Sequence, residues 1–320
     1  MTDYPFLKKA GTPFKDTEIT KVAEIIKEAD RDNGEITGAG LIGAPLSKSS
    51  ISHSGASFAP GTIRKALGGF STYAIEDDTD LSRMTISDLG DVVMHVTDIK
   101  ESQRRVFEAF DHVYKSNPQW LPIVLGGDNS VSFPSIQAFA KHKGSVGVIQ
   151  FDAHHDVRNL EDGGPTNGTP FRSLLETETI EGQNLVQVGI RNFSNSKAYR
   201  AYAEEKGVAI YTMKDVRDKP VTGLLAEAVE RMRERVDAIY VSVDMDVVDQ
   251  AQAPGCPAIG PGGMDAVDLF DAVSFLGAEP KVKGIEVVEI DPTVDFRDMT
   301  SRLAAHVILY FLKAKMKENK

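Results

Sequence analysis

The sequence predicts an α/β protein whose mostly parallel sheet is covered by helices on both faces. Short apolar runs rich in valine and isoleucine lack the polar alternation of half-exposed strands. This composition is typical of parallel strands that are buried on both faces. The runs alternate along the chain with longer amphipathic segments of helical periodicity, as expected for repeated strand-helix units.

Eight segments have the composition of buried strands, being short, apolar and bounded by glycine, proline or polar residues. They are residues 39–45, 84–90, 121–127, 145–152, 184–190, 207–213, 237–244 and 283–291. The helices predicted around them are residues 19–30, 102–116, 134–143, 223–235, 265–277 and 301–316. No linker, repeat or low-complexity segment interrupts this pattern, so we expect one domain over residues 1–320.

Charge and composition exclude several classes of function. The formal net charge is −11, from 36 basic and 47 acidic residues, which argues against nucleic acid and anionic membranes as partners. The single cysteine, Cys256, cannot form an intrachain disulfide and fits a reducing compartment. Residues 1–14 lack the apolar stretch of a signal peptide, and no segment approaches the roughly 20 apolar residues that cross a bilayer. We therefore expect a cytoplasmic protein.

Two acidic motifs follow predicted strands, at the edge where parallel α/β sheets bind ligands. FDAHHD (151–156) spaces Asp152, His154 and Asp156 two residues apart, so that three side chains can face one point. SVDMDVVD (242–249) repeats this spacing with Asp244 and Asp246 at the end of another apolar run. Either motif alone could be a solvated loop, but two such motifs at the ends of buried strands predict a metal site.

The chemistry of these side chains predicts two divalent cations. Crowded carboxylates would repel one another and raise each other's pKa values, and a cation pair would remove that cost. Carboxylate together with imidazole favours Mn²⁺, Fe²⁺ or Zn²⁺, and the predominance of oxygen ligands favours manganese. His155 lies between the ligand candidates and is predicted to face the opposite side of the segment.

The order of GGDNS (126–130), FDAHHD and SVDMDVVD resembles the three metal-binding signatures of the ureohydrolase (arginase/agmatinase) family. Two further segments, SGASFAPGTIRKAL (54–67) and EVVEIDP (286–292), are also similar to that family. The resemblance implies a three-layer arginase-like fold with a central, mostly parallel eight-stranded sheet. It also implies two Mn²⁺ ions per subunit that hold a hydroxide, and hydrolysis of a guanidine or amidine C–N bond. Members commonly form trimers or hexamers, so we expect a homo-oligomer.

The resemblance also implies roles for individual residues. The metal ligands would be Asn129, Asp152, His154, Asp156, Asp244 and Asp246. Asp152 and Asp244 would bridge both ions. Asn129 and Asp156 would complete the ligand shell of one ion, and His154 and Asp246 would complete that of the other. Asp156 would also move the proton of the hydroxide. Glu289 would face the cationic amidine end of the substrate.

The chain departs from the family pattern at three positions, of which the Asp249-Gln250 pair, where the family often has Asp-Pro, is expected to affect only a loop. Asn129 stands where the first signature usually has histidine, and an amide oxygen binds Mn²⁺ more weakly than imidazole does. Asn129 indicates either a subfamily that uses an amide ligand or a non-catalytic metal or metabolite binder, and the otherwise intact ligand set favours the subfamily. Asn167 stands where arginases and agmatinases have a histidine thought to donate or orient a proton. A leaving group that is easier to expel would need less help from such an acid.

Arginines in the loops around the expected site indicate an acidic substrate. Arg158 follows the FDAHHD motif, and Arg172 closes the NGTPFR loop that begins at Asn167. Arginine binds carboxylates bidentately, whereas the pocket for a cationic tail would avoid it. An amidine with two carboxylates is N-formimino-L-glutamate, so the formimidoylglutamase branch of the family is the most similar. Agmatinase and guanidinobutyrase remain alternatives, and structural salt bridges remain the alternative role for each arginine.

Overall fold

A nine-stranded parallel sheet forms the centre of the structure. The computed structural model describes residues 5–8, 15–29, 36 and 38–318. The sheet strands are β1 (Ile26–Glu28), β2 (Ala39–Ala44), β3 (Ile86–Asp91), β4 (Leu121–Gly126), β5 (Val146–Phe151), β6 (Leu185–Ile190), β7 (Ala209–Thr212), β8 (Ala238–Asp244) and β9 (Val282–Val288). They lie in the order β1-β3-β2-β4-β9-β8-β5-β6-β7, and every neighbouring pair is parallel. The predicted fold class is confirmed.

All eight predicted strands are present, and a ninth lies at the edge of the sheet. The ninth strand, β1, pairs with β3 through three residues. The predicted helix over residues 19–30 is wrong, because only α1 (Val22–Ile25) is helical before the chain extends into β1. Helix propensity is a weak preference that tertiary pairing overrides, and the β-branched Ile26 suits a strand opposite Ile86. Asp30, at the end of the predicted helix, lies outside the described residues.

Nine further helices in the described ranges follow α1. They are α2 (Ala59–Gly69), α3 (Ile99–Ser116), α4 (Ser132–Lys143), α5 (Pro170–Glu176), α6 (Lys197–Glu205), α7 (Met213–Asp218), α8 (Val221–Met232), α9 (Ala266–Gly277) and α10 (Met299–Glu318). The other five predicted helices correspond to α3, α4, α8, α9 and α10. Of those not predicted, α5, α6 and α7 have nine residues or fewer, which is too short for a clear periodic signal.

Two apolar clusters cover the two faces of the sheet. One contains side chains from α1, α2 and α7 to α10, and the other contains side chains from α3 to α6. β5, β6 and β8 are buried along their whole length, which explains why their sequences show no polar alternation. In α10, Val307 and Phe311 are fully buried in the first cluster, and Tyr310 stacks on Phe270 at 4.7 Å. None of the described helices is both long and apolar enough to cross a membrane.

Candidate metal centre

The metal-ligand candidates lie together at the carboxyl ends of neighbouring strands. β4, β9, β8 and β5 are adjacent in the sheet, and the three polar motifs follow β4, β5 and β8. Because parallel strands direct their carboxyl ends to one edge, motifs that are far apart in sequence meet there. The side chains brought together are those of Asn129, Asp152, His154, Asp156, Asp244 and Asp246.

Two groups of three side chains could each surround a cation. Asp152, His154 and Asp246 form one group, and Asp152, Asp156 and Asp244 form the other. In each group the ligand atoms lie within 4.8 Å of one another, and Asp152 belongs to both. His154 Nδ1 lies 3.0 Å from Asp246 Oδ2 and 3.4 Å from Asp152 Oδ1. The sequence spacing of two residues therefore does bring the acidic side chains of each motif to one point.

The loop after β4 is held in place by backbone packing. A Cβ atom at Gly127 would lie 1.9 Å from the Leu46 carbonyl oxygen, so only glycine fits there. The next amide, of Asp128, donates to that same oxygen at 2.6 Å. The Asp128 carboxylate accepts from Ser49 Oγ at 2.7 Å, so it ties two loops together and belongs to neither group of metal-ligand candidates. This arrangement leaves Asn129 at the centre of the cluster.

The Asn129 side chain faces three carboxylates. Its Nδ2 donates to Asp156 Oδ2 at 2.7 Å and lies 3.3 Å from carboxylate oxygens of both Asp152 and Asp244. Its Oδ1 accepts from Ser132 Oγ at 2.5 Å. The end of the Asn129 amide therefore lies where it could bind a cation held by Asp152, Asp156 and Asp244. A half-turn of the amide would exchange its nitrogen for its oxygen at that point.

Burial makes the negative charge of this cluster costly. It raises the pKa of Asp152 to about 6 and the pKa values of Asp156 and Asp244 well above their usual range, with neighbouring carboxylates adding to the effect. Burial opposes charge on His154, but Asp246 and Asp152 outweigh it and raise its pKa to about 12. The aspartates of the cluster thus strongly favour a positive charge among their side chains.

The donor set fits a pair of divalent cations. These carboxylates are buried and close together, and burial raises the pKa values of Asp156 and Asp244, so added positive charge would stabilise their ionised forms. A cation in each group would supply that charge. Oxygen ligands with a single imidazole are the set that manganese accepts.

Glu289 lies beside the cluster, at the end of β9. Its backbone has φ of +60°, and its Oε1 accepts from the Asn129 backbone N–H at 2.7 Å and from Asn167 Nδ2 at 3.1 Å. Burial, followed by the charge of Asp128, raises the pKa of Glu289 to about 8. Asn167 is itself held by the Ser49 carbonyl oxygen at 3.0 Å. The structure therefore brings Glu289 and Asn167 together at the metal-ligand candidates.

A cavity of about 320 Å³ opens above the cluster. Its lining residues are His154, Asp156, Arg158, Phe193, Ser194, Asn195, Ser196 and Tyr199. Arg158 is exposed, and its guanidinium lies 5.9 Å from the centre of the Tyr199 ring. Among the described residues no carboxylate lies within 4.0 Å of that guanidinium, so Arg158 has no ion-pair partner there.

The other two arginines around the site are engaged elsewhere. Arg172 is ion-paired with Glu176 one helical turn away, and its guanidinium lies 3.6 Å from the centre of the Tyr202 ring. It does not line the cavity that contains Arg158. Arg191 is buried and donates through Nη1 to the Gly260 carbonyl oxygen at 2.6 Å. The Arg172 contact is of the structural kind that was the alternative role for that arginine.

The cavity wall formed by residues 193–199 was not predicted from the sequence. Asn195 ties this wall to the metal-ligand segment, because its Oδ1 accepts from the His155 N–H at 2.8 Å and its Nδ2 donates to the Ala153 carbonyl at 2.9 Å. The wall directly follows β6, at the same edge of the sheet as the other motifs. Its position after a strand was the one signal that could have identified it.

A buried network beneath the cluster holds Asp152. Gln150 Nε2 donates to Asp152 Oδ2 at 2.8 Å, and Gln187 Nε2 donates to Gln150 Oε1 at 2.8 Å. His155 Nδ1 lies 2.6 Å from Gln187 Oε1. His155 therefore faces away from the ligand candidates, as its position between them predicts. The network fixes the orientation of the carboxylate that both groups share.

Comparison with known proteins agrees with this geometry. The arginase-family profile matches residues 37–313. Formimidoylglutamase of Halalkalibacterium halodurans is 61% identical over 315 residues, which cover 98% of each chain. Formimidoylglutamase of Bacillus subtilis is 55% identical over 313 residues, again 98% of each chain. The crystal structure described as formimidoylglutamase from Bacillus subtilis has a TM-score of 0.94, with 54% identity over 98% of this chain and 97% of that one. The chain belongs to the arginase family.

Proposed function

We propose that the protein hydrolyses N-formimino-L-glutamate to L-glutamate and formamide with two Mn²⁺ ions per chain. The observation that carries this proposal is a cavity lined by the metal-ligand candidates His154 and Asp156 and by Arg158, which has no ion-pair partner among the described residues. The buried carboxylate of Glu289 lies beside the same cluster, where it accepts from the Asn129 N–H. An amidine with carboxylate groups is the substrate chemistry that matches all three features. The high identity to two formimidoylglutamases over nearly the whole chain supports this substrate.

The two groups of metal-ligand candidates would hold the two ions. Asn129, through its oxygen, would hold one ion together with Asp156 and Asp244, and His154 and Asp246 would hold the other. Asp152 belongs to both groups and would contribute to both. When bound, the ion pair would lower the pKa of a shared water so that hydroxide is present near neutral pH.

The protein side chains would orient the substrate and move the proton. Glu289 would pair with the cationic amidine, since a buried carboxylate with a raised pKa gains most from a positive partner. Asp156, which is partly exposed to the cavity, would accept the proton of the attacking water. The oxygen of that water adds to the amidine carbon, the bond from this carbon to the glutamate nitrogen breaks, and the amine leaves with a proton.

Arg158 would bind a carboxylate of the substrate. It lies on the cavity wall next to Asp156, and its guanidinium has no ion-pair partner among the described residues. Arg172 is already held by Glu176 and Tyr202, which favours Arg158 for this role. Formiminoglutamate has two carboxylates, guanidinobutyrate has one and agmatine has none, so agmatine would gain least from this position.

The experiment compares Arg158→Ala with Arg172→Ala. Loss of a charge-assisted hydrogen bond of about 1.5 to 3 kcal/mol should raise the KM for formiminoglutamate about 10-fold to 100-fold in Arg158→Ala. Arg172→Ala, the matched control on the neighbouring helix, should change the KM by less than about 3-fold. If Arg158→Ala leaves the KM unchanged, the proposed recognition of the substrate carboxylate is wrong.

The same preparation separates the alternative functions. Hydrolysis of formiminoglutamate, agmatine, arginine and guanidinobutyrate is measured side by side with manganese supplied, and the preferred substrate is the one with the highest kcat/KM. Metal content decides between an enzyme and a non-catalytic binder. Two Mn²⁺ per chain with turnover support the enzyme, whereas a single bound ion without turnover supports a metal or metabolite binder.

Three further expectations stay predictions. We expect residues 1–320 to form one domain, the chain to assemble as a homotrimer or homohexamer, and the protein to be cytoplasmic. Light scattering of the purified protein tests the assembly, and limited proteolysis tests the single domain. Cell fractionation tests the location.

A further inference from the structure

We propose that Ser132 and Glu286 form a relay that orients the Asn129 amide, so that its oxygen and not its nitrogen faces the metal centre. The inference rests on the proposed metal centre and extends it to two residues outside the ligand set. Both are positioning residues, since neither belongs to the groups that could hold a cation.

An amide ligand has an ambiguity that imidazole at this position would not have. Oδ1 and Nδ2 of Asn129 are nearly equal in size, but only the oxygen can bind a cation. With carboxylates alone around it, the amide presents Nδ2 to Asp156 at 2.7 Å. Three carboxylate acceptors favour this orientation as long as no cation competes for them. A metal-binding Asn129 therefore needs a partner that favours the reverse orientation.

Ser132, at the start of α4, lies at the other end of the amide. Its Oγ is 2.5 Å from Asn129 Oδ1, so it touches whichever amide atom faces away from the cluster. Ser132 also lies close enough to Glu286 on β9 to lower the pKa of its carboxyl group, which burial raises to about 7. A hydroxyl has one proton to donate and can also accept. If its proton goes to Glu286, the oxygen of Ser132 is left to accept from Asn129 Nδ2–H.

Glu286 is placed to keep the Ser132 proton turned away from the amide. It is fully buried, and its carboxylate also accepts from Ser242 Oγ at 2.8 Å and from the Tyr240 hydroxyl at 3.1 Å. Three hydroxyl groups thus surround one carboxylate, which has only acceptor positions to offer when ionised. Among the described residues no positive side chain is ion-paired with Glu286, so these hydroxyl groups are what stabilises its ionised form.

The directions of the hydrogen bonds are consistent along the whole relay. Ser132 donates to Glu286 and accepts from Asn129 Nδ2, and Asn129 Oδ1 then points to the cluster. Removing Ser132 leaves Nδ2 without an acceptor in this orientation. The amide would then return its nitrogen to Asp156 and compete with the cation for the same space.

The experiment measures Mn²⁺ binding to the full chain, independently of activity. In Ser132→Ala, the affinity for one of the two ions should fall about 10-fold to 100-fold, the range typical when a partner of a metal ligand is removed. The electron paramagnetic resonance spectrum at limiting Mn²⁺ should change from that of a coupled pair to that of an isolated ion. Ser135→Ala is the matched control, because Ser135 is buried in the same helix but bonds only to the Val131 carbonyl.

The Asn129→Asp variant distinguishes an effect of Ser132→Ala on the orientation of the amide from a general effect on the structure. In Asn129→Asp, the two carboxylate oxygens are equivalent, so adding Ser132→Ala should change Mn²⁺ affinity by less than about 3-fold. Glu286→Gln should weaken the same ion as Ser132→Ala, and Tyr240→Phe should not, because it removes a different donor to Glu286.

If Ser132→Ala lowers the affinity equally with Asn129 in place and in the Asn129→Asp background, the relay is overturned. Unchanged Mn²⁺ binding in Ser132→Ala alone would overturn it as well. Fewer than two Mn²⁺ ions on the unaltered chain would instead overturn the proposed metal centre itself. The two failures are therefore distinguishable.

Discussion

Replacing Glu289 by glutamine should have opposite effects on stability and activity. Burial raises the pKa of this carboxyl group from 4.5 to about 8. A difference of about 3.5 pH units corresponds to an upper bound of about 5 kcal/mol at 1.36 kcal/mol per unit. Glutamine can keep both observed hydrogen bonds, because the Asn129 amide and Asn167 Nδ2 both donate to the same oxygen, Oε1.

The sign of the stability effect follows from the raised pKa. Below about pH 4.5, Glu289 is protonated in both the folded and the unfolded protein, and burial of its side chain carries no charge penalty. As the pH rises to about 8, the unfolded state ionises first and the folded state loses stability, after which the loss is constant. Glu289→Gln lacks this titration, so the metal-free variant should be increasingly more stable than the unaltered chain across that range.

Urea unfolding of the chelator-treated proteins at about pH 5, 7 and 9 measures the effect. Glu161→Gln, at an exposed position, is the control and should show no pH-dependent difference. The kcat/KM of Glu289→Gln should fall by a factor that corresponds to about 2 to 5 kcal/mol, because the substrate loses its buried charged partner. A stability difference that is equal at all three pH values would refute the electrostatic reasoning, and unchanged activity would refute the assigned role.

Two further predictions concern residues within and beneath the metal centre. Asn129→His should retain Mn²⁺ about 10-fold more tightly during dialysis against a chelator, since imidazole is the stronger ligand; equal retention would argue that Asn129 is not a ligand. Gln187→Leu should lower the free energy of unfolding by about 2 to 4 kcal/mol, because Gln150 Oε1 and His155 Nδ1 lose their buried partner. A loss below about 0.5 kcal/mol would contradict the assigned network.

Most of the sheet was predictable because each buried strand is a local apolar run. The eight predicted strands are present within three residues at each end. The edge strand β1 was not predictable in this way, because it is three residues long and exists only through its pairing with β3. The helical periodicity around it extends beyond the single turn of α1 that the chain forms.

The predicted metal ligands could be identified from the sequence because their spacing is local. Asp152, His154 and Asp156 alternate within one short segment, and Asp244 with Asp246 repeats the pattern, so each motif carries its own signal. The proposed relay through Ser132 and Glu286 has no such signal. It joins a helix start to a strand more than 150 residues later, and serine and glutamate are ordinary residues in both places.

By itself, the sequence determined the parallel α/β fold and the residues that gather at one edge of the sheet, because strand burial and ligand spacing are properties of short segments. Only the tertiary structure decided which arginine lines the cavity and has no ion-pair partner among the described residues. Arg158 and Arg172 look equivalent in sequence, but Arg172 packs on Tyr202 from a later helix, whereas Arg158 lies on the cavity wall. Contacts between distant segments decide whether a charge is paired, and such contacts leave no periodic pattern in the chain.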